Sequence, residues 1–217
     1  ATINTQNSKY VELRPLLPPY PSAIPGQYYS EVPVIRGLWM VSWFKEEFGL
    51  LERMQSSELV SPEELLEKLL EQVPAGSQGL VCLPHWTAGP DTASCTRGAV
   101  IGFGDVHTRA HLYRAIIEGL VFALREGGER TEKANRVPIT EVRATGGGAR
   151  SNAILQITAD IFGLPVHRPH TNETSVLGAA MDAAVGLKLL PDFAGAARAM
   201  TRVERTFEPI AQHREVY

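Results

Sequence analysis

The stretch EVRATGGGARSNAILQITADIFGLPV, residues 141–166, constrains the fold of this chain more tightly than any other part. An extended run, Glu141 to Thr145, meets a helix-periodic run, Arg150 to Phe162, across three consecutive glycines, Gly146, Gly147 and Gly148. Glycine weakens the interior of a strand or a helix. At a strand-to-helix junction it instead lets backbone N–H groups approach a ligand, and the helix N-terminus behind it favours anions. The turn matches neither GxGxxG nor GxxxxGKS/T. On these residues alone a phosphate loop and a ligand-free tight turn stand level.

The pattern around the turn sets the fold class. GLVCLPHW (79–86) and AVIGF (99–103) read as short strands, with a Gly/Pro/Ser/Thr loop between them. Thr108 caps a long helix whose Leu112, Ala115, Ile116, Gly119, Leu120 and Ala123 share one face. EVRAT is a strand, Arg150 to Phe162 a helix ended by Gly163, PVHRP a strand, and Ser175 to Leu189 a helix. The order β, β, α, β, α, β, α predicts an α/β domain with a mixed sheet flanked by helices. Upstream, Leu38, Val41, Trp43, Phe44, Phe48 and Leu51 are mostly helix-spaced, with Gly49 weakening or ending the helix. Ser61, Pro62 and Glu64 form a capping box for an amphipathic helix. Residues 1–30 read as an irregular or β-rich start, and VERTFEPI as an extended tail packing back.

Bulk properties exclude several classes. With 217 residues, 44% hydrophobic and 21% charged, the chain is an ordinary globular protein, and its net charge of −3 leaves no basic footprint for nucleic acid. No apolar run reaches membrane-spanning length. Two cysteines, Cys82 and Cys95, are too few for a disulfide framework, so reduced thiols and a cytoplasmic location are expected. The start at Ala1, in what reads as the middle of a β-rich segment, suggests a missing N-terminal part.

Two long segments carry a resemblance. GGGARSNAILQITADIFGLPVHRP followed by ETSVLGAAMDAAVGL closely resembles the C-terminal domain of the FGGY carbohydrate kinases. RGAVIGFGDVHTRAHLYRAIIEGLVFALRE is similar to the second signature of that family, with Gly98, Val100, Gly102, His111, Leu112, Ala115, Ile116, Ile117 and Glu118 at matching spacings. RGLWMVSWFKEEFG is similar to a third family segment, a helix ending in Trp-Leu-Arg-Asp. Phe103 departs from the usual aliphatic residue, and Ala93 stands where relatives often carry the first residue of Asp-Pro-x-x-Arg-Gly. The resemblance covers about residues 31–210. It implies an actin-like ATPase fold of two ribonuclease-H-like domains, with ATP in the cleft between them. Residues 1–217 would form the C-terminal domain, without the N-terminal sugar-binding domain.

The resemblance also implies site residues. Gly147 and Gly148 would pass close to the nucleotide, where a Cβ would collide with ribose or phosphate. Asn152, one turn into the helix, would hydrogen-bond adenine through an amide that both donates and accepts. Gly37 and Ser42 lie near positions that line the adenosine pocket, Ser42 replacing a glutamine. Glu118 reads as a carboxylate tying two elements together rather than a catalytic group, and Glu173 as a helix cap. His107 with His111, and His167 with His170, have ordinary structural explanations, and no metal site is assigned. The family's catalytic base is an aspartate in a Gly-Asp-x-x-Ala-like stretch, which this sequence lacks, so it would lie upstream of Ala1. Asp105, Asp160, Asp182 and Asp192 sit in other contexts.

The expected activity is that of the ATP-binding portion of a kinase that phosphorylates a ketose, polyol or sugar acid. ATP and Mg²⁺ would be its cofactors, the carbohydrate its small-molecule partner, and a homodimer an open assembly. A non-catalytic nucleotide-binding or scaffold protein built on this half alone is the alternative.

Overall fold

The computed structural model describes residues 1–13, 18–89 and 95–217; the Ala93 departure falls outside them. The first residues form an antiparallel sheet. Its strands are β1 (Thr2–Asn7), β2 (Tyr20–Pro21) and β3 (Tyr28–Pro33), in the order β1-β3-β2. Strand β3 alternates around Ser30 and Val32, whose side chains are buried, as a half-buried strand requires.

The expected break at Gly49 divides two helices, α1 (Trp39–Phe48) and α2 (Leu50–Gln55). The buried face of α1 is Met40 and Phe44, both fully enclosed, whereas Phe48 and Leu51 are exposed. Helical spacing alone places those two inward and does not mark Met40. Helix α3 (Pro62–Glu71) starts at the anticipated cap: Glu64 N–H donates to Ser61 Oγ at 3.2 Å, with Pro62 in the first turn. Leu66, Leu69 and Leu70 form its buried face.

Strands β4 (Val81–Leu83) and β5 (Ala99–Ile101) pair antiparallel and carry the chain to α4 (Arg109–Asn135), which Thr108 caps. Here the reciprocal arm of the capping box comes from a histidine, the Thr108 N–H donating to His111 Nδ1 at 3.2 Å. From Tyr113 to Val121 every residue of α4 is buried, so the helix is enclosed on all sides rather than along one face. Gly119 makes that enclosure geometrically feasible. A Cβ there would lie 2.2 Å from the Cys82 carbonyl oxygen, so α4 packs onto β4 at backbone distance.

The remaining elements are β6 (Val142–Arg143), α5 (Asn152–Phe162), β7 (Val166–Pro169), α6 (Thr174–Gly186), α7 (Phe193–Met200) and β8 (Val203–Phe207). Strand β6 runs parallel to β7, and β8 runs antiparallel to β7, giving the mixed sheet β6-β7-β8. The tail read as extended is therefore a paired strand. Gly163 ends α5 in the left-handed region (φ 64°) as a helix terminator should. Helix α6 stops at Gly186 rather than Leu189, because Lys188 turns left-handed (φ 59°). Glu173 precedes α6 but its side chain makes no cap hydrogen bond. The larger core gathers α1, α3, β4, α4 and one face of α5, and a smaller one lies between the other face of α5 and the mixed sheet.

Candidate nucleotide-binding site

The strand-to-helix switch across the three glycines is present, but the turn is longer than the sequence suggests. Gly147–Arg150 form a 3₁₀ turn, Ser151 is the cap, and α5 begins at Asn152 rather than Arg150. Asn152 is thus the first residue of the helix, not one turn into it. Ser151 sets this start: its Oγ accepts the Ile154 N–H at 3.1 Å, a bond that requires the extended backbone of a cap. Gly146 (φ 80°, ψ −166°) occupies backbone space open essentially to glycine alone.

Gly146 and Gly147 are exposed and Gly148 is half-buried. The N–H groups of Gly147 and Gly148 donate to no group among the described residues. A Cβ on Gly147 would meet nothing within 4 Å, so its face is open to solvent. A Cβ on Gly148 would lie 2.3 Å from Leu38 Cδ1, so this glycine lets the turn close onto the residue preceding α1. Two neighbouring N–H donors on an exposed glycine turn fit an anionic or ribose oxygen, which is what a nucleotide presents.

The N-terminus of α5 does not offer the same to a phosphate. Glu67, on α3, accepts from Ser151 Oγ and from Ala153 N–H, both at 2.8 Å. A carboxylate already holds the positive end of the helix dipole. This second cap was not apparent in the sequence, because Glu67 stands 84 residues before Ser151. The backbone donors left open to an anion are therefore those of the glycine turn.

Asn152 is exposed, and its Oδ1 accepts from Arg168 Nη1 at 2.9 Å. It borders a shallow depression of about 460 Å³ rimmed by Glu64, Glu67 and Glu71, with Lys68 and Arg205 beside them. An acidic rim of this kind suits a neutral ring better than a phosphate chain. Gly37 is buried, left-handed (φ 48°), and tight against the chain start: a Cβ would lie 1.8 Å from the Ala1 nitrogen. Its smallness thus has a packing cause. Ser42 is exposed on α1, four residues beyond Leu38 and so on the same helix face. Leu38 is what brings that face to the glycine turn.

Glu118 ties elements together, as its position on an apolar helix suggests. Its carboxylate accepts from Arg114 Nε at 2.7 Å, Gly76 N–H at 3.0 Å, Ser77 Oγ at 2.8 Å and the Tyr217 hydroxyl. The turn it holds is left-handed at Gly76, Ser77 and Gln78 (φ 79°, 50° and 51°). Both ring nitrogens of His111 face protein groups, Nε2 lying 2.8 Å from Gln78 Oε1. His107 Nδ1 accepts the Gly104 N–H, and His167 Nδ1 lies 2.8 Å from Thr206 Oγ1. His170 Nδ1 lies 3.4 Å from Arg202 N. Asp160 is a buried structural anchor, receiving Ile210 N–H and His213 Nδ1. Both cysteines are free, and burial pushes the Cys82 thiol up to about 12, which leaves it inert at neutral pH.

With this geometry in place, the class follows first: the chain is an α/β domain of the actin-like ATPase fold. A structure of xylulose kinase from Rhodospirillum rubrum superimposes over 100% of the chain and 42% of its own, with a TM-score of 0.80 at 27% identity. The family model for the C-terminal domain of the FGGY family of carbohydrate kinases matches residues 2–187. The chain belongs to the FGGY family and corresponds to that C-terminal domain. An uncharacterized sugar kinase, YgcE, of Escherichia coli (strain K12) is 36% identical over 92% of the chain and 41% of its own length. A glycerol kinase of Geobacter sp. (strain M21) is 34% identical over 86% of the chain and 36% of its own. The chain therefore spans about two fifths of the length of the relatives it matches. None of the helices among the described residues is long and apolar enough to cross a membrane.

Proposed function

We propose that this chain is the nucleotide-binding half of a cytoplasmic carbohydrate kinase. The complete protein would transfer the γ-phosphoryl group of MgATP to a hydroxyl of a ketose, polyol or sugar acid. The observation that supports this most is the pair of N–H groups at Gly147 and Gly148 that have no partner among the described residues, on a turn a few residues before Asn152. In this reading the glycine N–H groups hold nucleotide oxygen atoms, and the Asn152 amide meets the base. Ser42, on the face that Leu38 shares, borders the adenosine, and Gly37 supports that wall by packing.

Bound ATP supplies the phosphoryl group and its leaving group. The residues here fix the nucleotide and help exclude water once a second domain closes over it, which limits hydrolysis. Among the described residues no group of three or more His, Cys, Asp or Glu side chains is placed to hold a metal ion. In this reading Mg²⁺ would be held chiefly by the nucleotide phosphates. In this reading the general base would come from the other side of the cleft, and the carboxylates buried here, Glu52, Glu118 and Asp160, are each engaged by protein donors. The protein's oligomeric state, monomer or homodimer, does not enter this chemistry.

The test is a panel of pentuloses, polyols and aldonates offered to the full-length protein with MgATP, reading ADP release in a coupled assay. Sugar-dependent ADP formation with one of these classes is expected. ADP binding without turnover on any of them would favour a non-catalytic nucleotide-binding role.

A further inference from the structure

We propose that Arg168 is a positioning residue of the nucleotide site. It locks the Asn152 amide so that only N–H groups face the ligand, which makes Asn152 a reader of hydrogen-bond acceptors. This rests on the assignment of Asn152 to the nucleotide base made above.

Donor chemistry fixes the amide. A guanidinium can only donate, so the Asn152 atom 2.9 Å from Arg168 Nη1 must be Oδ1. The amide orientation follows from its partner. Its Nδ2 then points away, and it makes no hydrogen bond among the described residues. Arg168 is itself held from three sides. Nε donates to Glu204 Oε2 at 2.9 Å on β8. Nη1 also approaches the Ala149 carbonyl, at 3.4 Å, inside the 3₁₀ turn. The guanidinium carbon lies 5.6 Å from the centre of the buried Phe207 ring. With 14% of its side chain exposed, it has little freedom to release the amide.

One residue thus joins the mixed sheet, the glycine turn and the first residue of α5. An asparagine left free could turn either its oxygen or its nitrogen toward a ligand. Clamped this way it presents two N–H donors, and it discriminates in favour of a base edge that offers a lone pair. Lysine could not replace the arginine, because one ammonium cannot serve Glu204 and Asn152 in a planar fork.

The experiment is ADP calorimetry on the full-length protein with Asn152→Ala, Asn152→Asp, Arg168→Met and the double variant Arg168→Met/Asn152→Ala. Arg168→Met should weaken ADP about two- to tenfold, the loss of one positioned hydrogen bond, and leave the sugar KM unchanged. In the Asn152→Ala background it should add nothing, because it acts through that side chain. Asn152→Asp keeps the Arg168 contact but has no donor, so it should weaken ADP at least as much as Asn152→Ala. Should Arg168→Met not fold, Arg168→Lys carries the test, with a loss in the same direction. An effect of Arg168→Met that persists in the double variant, or wild-type affinity in Arg168→Met or Asn152→Asp, overturns the proposal. Unchanged affinity in Asn152→Ala instead removes Asn152 from the nucleotide site and takes both readings with it.

Discussion

Replacing Glu118 with alanine separates a structural carboxylate from a catalytic one. Glu118 is 4% exposed, and its two oxygens receive four donors from three places in the chain. Alanine would strand Arg114, itself 7% exposed, with no counter-charge. Arg114 would keep only the Leu70 and Val73 carbonyls and the Tyr217 hydroxyl as acceptors. Breaking a buried pair by removing one partner costs about 3–5 kcal/mol. The substitution also frees the turn at Gly76 to Gln78, whose left-handed backbone persists only while it is held. A loss of about 4 kcal/mol is therefore expected in urea denaturation, a large share of the roughly 5–15 kcal/mol typical of a domain. Well below the melting temperature, kcat of the full-length protein should change less than about threefold, whereas loss of a general base costs about 10²–10⁴-fold. A fall of that size in kcat, with stability within about 1 kcal/mol of wild type, would refute the structural assignment.

Three further outcomes follow. Asn152→Ala should raise the ADP Kd about two- to tenfold by calorimetry while the sugar KM moves less. Hydrogen bonds from Arg109 hold the Glu52 carboxyl below its ordinary value of 4.5, against the opposing effect of burial, so its contribution to stability is complete above that value and disappears as the pH falls through the lowered one. Glu52→Gln should accordingly cost about 1 kcal/mol at pH 7, and denaturation curves should show that cost shrinking in acid. The isolated 1–217 chain should release no sugar-dependent ADP in a coupled assay, because in the kinase proposed above the base and the substrate positioning would lie in the other half; clear turnover would place the base within these residues.

Much of the fold was legible because its signals are local. Ser61-Pro62, Thr108 and Gly163 each act through backbone atoms within four residues, and each marks a helix end where expected. Helix α7 carries such a signal too, with Asp192 Oδ1 accepting the Gly195 N–H, but its eight residues, five of them Ala or Gly, make no clear periodic run. The helix α5 starts two residues beyond the expected Arg150, because the Ser151 cap separates the 3₁₀ turn from the helix. What could not be read were partners distant in sequence. Glu67 at α5, Arg168 at Asn152, and Ala1 against Gly37 are meetings fixed by the way elements pack, and no spacing announces them.

The central claim is that the glycine turn is a nucleotide site, and the amide resonances of its glycines test it most directly. Full-length protein labelled with ¹⁵N at glycine can be titrated with MgADP. Gly147 and Gly148, whose N–H groups have no protein partner among the described residues, should show the largest shifts and saturate with the calorimetric Kd. Gly26 and Gly186, in other parts of the chain, should stay in place. Saturable ADP binding that leaves Gly147 and Gly148 unmoved would contradict the account.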